Sequence, residues 1–108
     1  MEEQAVVRAL SALAHPVRLR VFRALVVTGQ GGLTPGVMHE GLGVPPTTLS
    51  FHLKELANAG LVTVERASRT LVYRAAYDQM NGVLAFLTAN CCQGAECAVD
   101  SSNTTCAC

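Results

Sequence analysis

The chain has 108 residues, half of them apolar and 15% charged, a size and composition that suit one domain with a modest core. No apolar run approaches membrane-spanning length, and the opening Met-Glu-Glu is not a charged-then-apolar leader, so no membrane partner and a cytoplasmic location are expected. The net charge of zero hides a division: residues 1–76 carry eight bases against five acids, residues 77–108 carry three acids and no base, and an excess of +3 in the first part points to a polyanion partner.

Val6, Leu10, Leu13 and Ala14 form a helical stripe over residues 2–14, broken at His15-Pro16. Proline suits the first turn of a new helix, and Val17, Val21 and Leu25, with Leu19, Phe22 and Val26, carry that helix to about Val27. A glycine-rich loop, 28–32, follows. Thr34 and Pro35 then mark a helix start, and the short helix Pro35–Gly41 ends at Gly41-Leu42-Gly43. A stronger helix opens at Pro45-Pro46-Thr47, carries Leu49, Leu53 and Leu56, and closes at Gly60. Two helices around a tight glycine-containing turn are a helix-turn-helix pattern.

The period changes next. Leu61, Val62 and Val64, then Leu71, Val72 and Tyr73, predict two short strands around a basic loop, residues 65–70. Residues 77–90 return to helical spacing, with Tyr77, Met80, Val83, Leu84 and Leu87 on one stripe. From Gln93 the chain is small and polar, so residues 1–92 are expected to form the folded domain and 93–108 a flexible cysteine-containing tail. The expected class is mainly α with a small β-hairpin, a winged helix-turn-helix.

With these elements the chain resembles the ArsR/SmtB family of metal-responsive repressors. The resemblance rests on Leu13-Ala14-His15-Pro16-Val17-Arg18-Leu19, on Thr48-Leu49-Ser50-Phe51-His52-Leu53-Lys54-Glu55-Leu56, and on Ala59-Gly60-Leu61-Val62, followed by a wing with Arg66, Arg69 and Tyr73-Arg74. It covers about residues 5–90 and implies a dimer on double-stranded operator DNA. On the helix Pro46–Ala59 the leucines face the core. Thr47, Thr48, Ser50, Phe51, His52 and Lys54 lie on or beside the other side, where hydroxyls and imidazole can meet base edges and Lys54 suits phosphate. Thr47 is equally suited to cap the helix; a core position is the lesser alternative for His52, whose place in the resembling motif favours groove contact. Arg66 and Arg69 suit phosphate or minor-groove contact, or solubility of an edge strand.

A palindromic site requires a homodimer. Tyr77, Met80, Val83, Leu84 and Leu87, with Val6 and Leu10 of the first helix, are the expected interface, which also accounts for the low charged fraction. All five cysteines lie in the last eighteen residues: Cys91, Cys92, Cys97, Cys106 and Cys108. Thiols kept reduced favour ligand or redox roles over a disulfide framework. Cys91, Cys92 and Cys97 can converge across Gln93-Gly94-Ala95-Glu96. Three soft thiolates suit As(III) or Sb(III), a pyramidal centre, better than tetrahedral zinc. The cysteine pair that many arsenite-sensing relatives carry in the helix before the recognition helix is absent here. The sequence resembles instead the subset with its site at the end of the dimer helix. Cys106 and Cys108 stay unassigned.

The expectation is therefore a repressor released from DNA when As(III) or Sb(III) binds, with no organic cofactor. Two other repressors remain open: a thiol redox sensor, or a Zn(II), Cd(II) or Cu(I) sensor using more of the tail. No Cys-x-x-Cys and no base beside a thiol is present, so no enzyme is expected.

Overall fold

The computed structural model describes residues 1–91. Five helices and a hairpin follow in order: α1 Glu3–Leu13, α2 Pro16–Thr28, α3 Pro35–Leu42, α4 Pro46–Asn58, β1 Val62–Ala67, β2 Thr70–Ala75 and α5 Tyr77–Thr88, with a short 3-10 turn at Gly29–Gly31. This is the mainly helical winged helix-turn-helix that the sequence predicts.

Local chemistry sets the helix ends. His15 caps α2, its Nδ1 accepting from the Val17 N–H at 3.2 Å. Thr34 caps α3, its Oγ1 accepting from the Val37 N–H at 3.3 Å with Pro35 in the first turn. At the end of α4 the Gly60 N–H donates to the Ala57 carbonyl and the Leu61 N–H to the Leu56 carbonyl, both at 3.0 Å. That pairing needs the left-handed residue Gly60 supplies, with φ of 78°.

The core gathers Val6, Ala9 and Ala12 of α1, Val21, Phe22 and Leu25 of α2, Met38 of α3, and Leu49, Leu53 and Leu56 of α4. Leu61, Val62, Ala75 and Val83 close it. Val6 and Val83 are 2% and 6% exposed, so both belong to the core of one chain. They leave the expected dimer interface, because α1 and α5 lay these residues inward before any second copy is met.

The hairpin is longer than expected. β1 and β2 pair antiparallel from Val62↔Ala75 to Ala67↔Thr70, leaving only Ser68 and Arg69 in the turn. Ser68 takes a φ of 60° in place of the usual asparagine or glycine, and Arg66 lies in β1 opposite Leu71. Leu33 adds a bridge to Tyr73, each N–H donating to the other's carbonyl at 2.9 and 2.8 Å. Gly32 makes room for it. A Cβ there would meet the Tyr73 carbonyl oxygen and Val72 Cγ1 at 2.7 Å, and its φ is 70°.

Candidate nucleic-acid interface

α4 divides by face. Leu49, Leu53 and Leu56 are buried, and Thr47, Thr48, Ser50, Phe51 and Lys54 are all exposed. Pro45 occupies the N-cap position without a side-chain cap and Pro46 opens the helix, so Thr47 does not cap it. The first turn of α4 therefore offers backbone N–H groups and two threonine hydroxyls at one end, a geometry suited to phosphate and base edges. Behind it, His39 Nδ1 donates to the Val44 carbonyl at 2.6 Å, since a carbonyl can only accept. This bond fixes the turn between α3 and α4.

His52 departs from the expectation. It is 5% exposed and turned toward α2, so it is removed from the groove-facing set. Its Nδ1 accepts from Arg18 Nε at 3.1 Å, and its ring lies 4.6 Å from that of His15 between centroids. Burial holds its pKa below the ordinary value, with the nearby His15 and Arg18 adding to the effect and Glu55 opposing it. A neutral His52 thus ties the recognition helix to the start of α2. Arg18 also sets its guanidinium carbon 5.6 Å from the centre of the Phe51 ring.

On the wing, Arg66 and Arg69 are exposed. Arg74 has a structural duty: it pairs with Glu65 at 2.9 Å and donates to the Gln30 carbonyl at 2.7 Å. That is the one ion pair among the described residues.

The surface shared by α1 and α5 is apolar. Leu10 of α1 and Leu84 and Leu87 of α5 are exposed, joined by Val7 and Phe86, which the stripe reading missed. Tyr77 and Met80 are half-buried against the core, and Tyr77 Oη donates to the Val26 carbonyl at 3.2 Å. Between α1 and α5 a cavity of about 160 Å³ is lined by Leu10, Leu13, Met80, Leu84 and Leu87 among others.

α5 ends at Thr88, before the expected boundary, and Cys91 follows Asn90 with its φ of 58°. Cys92, Cys97, Cys106, Cys108 and the tail 93–108 lie outside the described residues. Among the described residues no three His, Cys, Asp or Glu side chains gather to hold a metal ion, and no helix is long and apolar enough to cross a membrane.

A helix-turn-helix domain model matches residues 13–65. An uncharacterized HTH-type transcriptional regulator of Bacillus subtilis is 35% identical over 69 residues, 64% of this chain and 68% of that protein. The biofilm growth-associated repressor of Agrobacterium fabrum is 34% identical over 83 residues, 77% of this chain and 68% of its own. The chain belongs to the helix-turn-helix transcriptional regulators, and solved structures like it are ArsR-like. Among solved structures, the homodimeric winged helix-turn-helix domain of a possible ArsR-family regulator from Mycobacterium bovis superposes with a TM-score of 0.65 at 29% identity, over 81% of this chain and 80% of that one. A possible transcriptional regulator for arsenical resistance does so with a TM-score of 0.65 at 26% identity, over 75% and 81%. In helix-turn-helix proteins the second helix of the motif lies in the major groove, and α4 holds that position here, with β1–β2 as the hairpin that follows it.

Proposed function

We propose that this ArsR-like regulator represses transcription as a homodimer on operator DNA, and that As(III) or Sb(III) bound by Cys91, Cys92 and Cys97 releases it. The observation that carries the reading is where the thiols begin. Cys91 follows three residues after Thr88, the last residue of α5, the helix that bears the exposed Leu84 and Leu87. With Leu10 of α1 these leucines make a self-complementary surface for a second copy, as two-fold association requires. The homodimeric state of the Mycobacterium bovis domain supports that surface, and the likeness to a regulator for arsenical resistance supports the effector.

The chemistry of the donors agrees. Thiolates are soft ligands, and a trivalent metalloid takes three of them. A ligand at the end of α5 biases the dimer only if it binds the DNA-releasing arrangement more tightly. Coupling between such sites is typically about 1–3 kcal/mol, a weakening of roughly 5- to 150-fold. The thiols must lose protons to bind, so the response weakens as pH falls.

The test is fluorescence anisotropy of labelled operator under reducing conditions. Arsenite should release DNA from the wild type, while Cys92→Ser and Cys91→Ser should bind DNA and ignore arsenite. A normal response from either mutant would show that the site is elsewhere. Release by peroxide without reductant, and none by arsenite, would assign the thiols to a redox switch.

A further inference from the structure

We infer that Phe51 is a specificity-determining residue that reads the 5-methyl group of a thymine in each operator half-site. The inference rests on α4 being the groove-entering helix and names what that helix recognises. Thr47, Ser50 and Lys54 surround Phe51 on the outward side, and at 100° per residue Phe51 lies only about 40° around the helix from Thr47. With Thr48 about 60° beyond it on the other side, Phe51 lies within the exposed arc of α4.

Its chemistry narrows the target. A phenyl ring neither donates nor accepts a conventional hydrogen bond, so the polar edges of adenine, guanine and cytosine offer it nothing. In the major groove the one apolar feature of a base pair is the thymine methyl. Phe51 is 52% exposed, so much of its ring has no cover within the chain.

The ring is also held in place. The Arg18 guanidinium carbon lies 5.6 Å from its centroid, and His52 meets it edge-on with centroids 5.4 Å apart. Arg18 in turn donates to His52 Nδ1. One side chain of α2 therefore touches both aromatic residues, which fixes the direction in which Phe51 projects. Arg18 is a positioning residue in this scheme.

The experiment replaces thymine by deoxyuracil, which removes the methyl and leaves every hydrogen-bonding group. A duplex is enriched from a random-sequence library on the full chain, and its thymines are substituted one at a time. Wild-type affinity should fall about fourfold at one thymine of each half-site, the factor for burying one methyl group, and about fifteenfold with both changed. Phe51→Ala should bind more weakly and no longer distinguish the two duplexes, while Phe51→Leu should keep part of the distinction. Arg18→Gln should shrink the thymine-to-uracil ratio, whereas a purely structural role would weaken both duplexes equally and leave the ratio unchanged. The inference is overturned if no substitution affects the wild type, if the enriched site lacks thymine, or if Phe51→Ala retains the wild-type ratio. A library that enriches no sequence would instead remove the DNA-reading role of α4, and the inference with it.

Discussion

α4 and α5 are nearly equal in length and opposite in completeness. Of the thirteen residues of α4, Leu49, His52, Leu53 and Leu56 are buried, and the outward face is polar around a single phenylalanine. Of the twelve residues of α5 only Val83 is buried, and the outward face carries Leu84, Phe86 and Leu87. The first helix is finished by its own chain and keeps polar groups for a ligand. The second leaves apolar surface that a monomer gains nothing by exposing. A helix can thus be marked as recognition or association surface by what its intrachain packing leaves over.

The sharpest way to break this contrast is to damage one buried and one exposed leucine. Leu53 is 1% exposed, and Leu53→Ala should cost about 2–5 kcal/mol in urea unfolding, because it leaves a cavity under the recognition helix. Leu87 is 56% exposed, and Leu87→Glu should keep the helical circular dichroism yet move the sedimentation boundary from dimer to monomer. Operator affinity should then drop about 100-fold, since two half-site contacts no longer act together. A dimeric Leu87→Glu would dissolve the contrast.

Much of this was legible. Leucines at helical spacing marked α4, proline and glycine marked its ends, and Thr34 announced the start of α3, because caps and periodicity are local. What failed was decided by distant partners. Around α4, His52 lies about 140° from Thr47, on the border between faces. Its burial follows from Arg18, 34 residues away, and no spacing rule contains that bond. Val6 and Val83 sit on correctly drawn stripes, but a stripe does not say whether its cover comes from the same chain. The hairpin was expected around a loop at 65–70, but its tight two-residue turn was not placed, because Ser68 adopts a positive φ without the residue types that usually announce one. For the proposed thiol site the order of cysteines was legible, and the structure adds that the first of them, Cys91, stands three residues past the end of α5.

The polar tie between α4 and α2 gives a second, smaller distinction between the helices. His52 has its pKa lowered by burial, then by the adjacent His15 and by Arg18 of α2, with Glu55 of α4 opposing. The unfolded chain therefore takes up this proton first. Stability linked to His52 is full above the unfolded value, near 6.5, and declines as pH falls through it toward the lower folded value. The urea midpoint of the wild type should drop between pH 7.5 and 5.5, and His52→Asn, which keeps an acceptor for Arg18, should show a shallower drop. Identical profiles would mean that this histidine does not couple the two helices to pH.

The smallest effect belongs to the wing. Arg66 and Arg69 are exposed and enter no ion pair among the described residues, unlike Arg74, which is engaged by Glu65 and the Gln30 carbonyl. A cation that touches only phosphate releases counterions without reading sequence. Arg66→Gln or Arg69→Gln should therefore weaken all duplexes alike and lower the steepness of log affinity against log salt by about one for each phosphate no longer neutralised. Phe51→Ala should do the reverse, leaving the salt slope intact and changing which duplex is preferred. In the proposed complex the wing would act through charge and α4 through shape, and a salt titration on two sequences separates them. If Arg69→Gln alters sequence preference with an unchanged slope, the wing tip reads bases as well, and the division of labour between strand and helix must be redrawn.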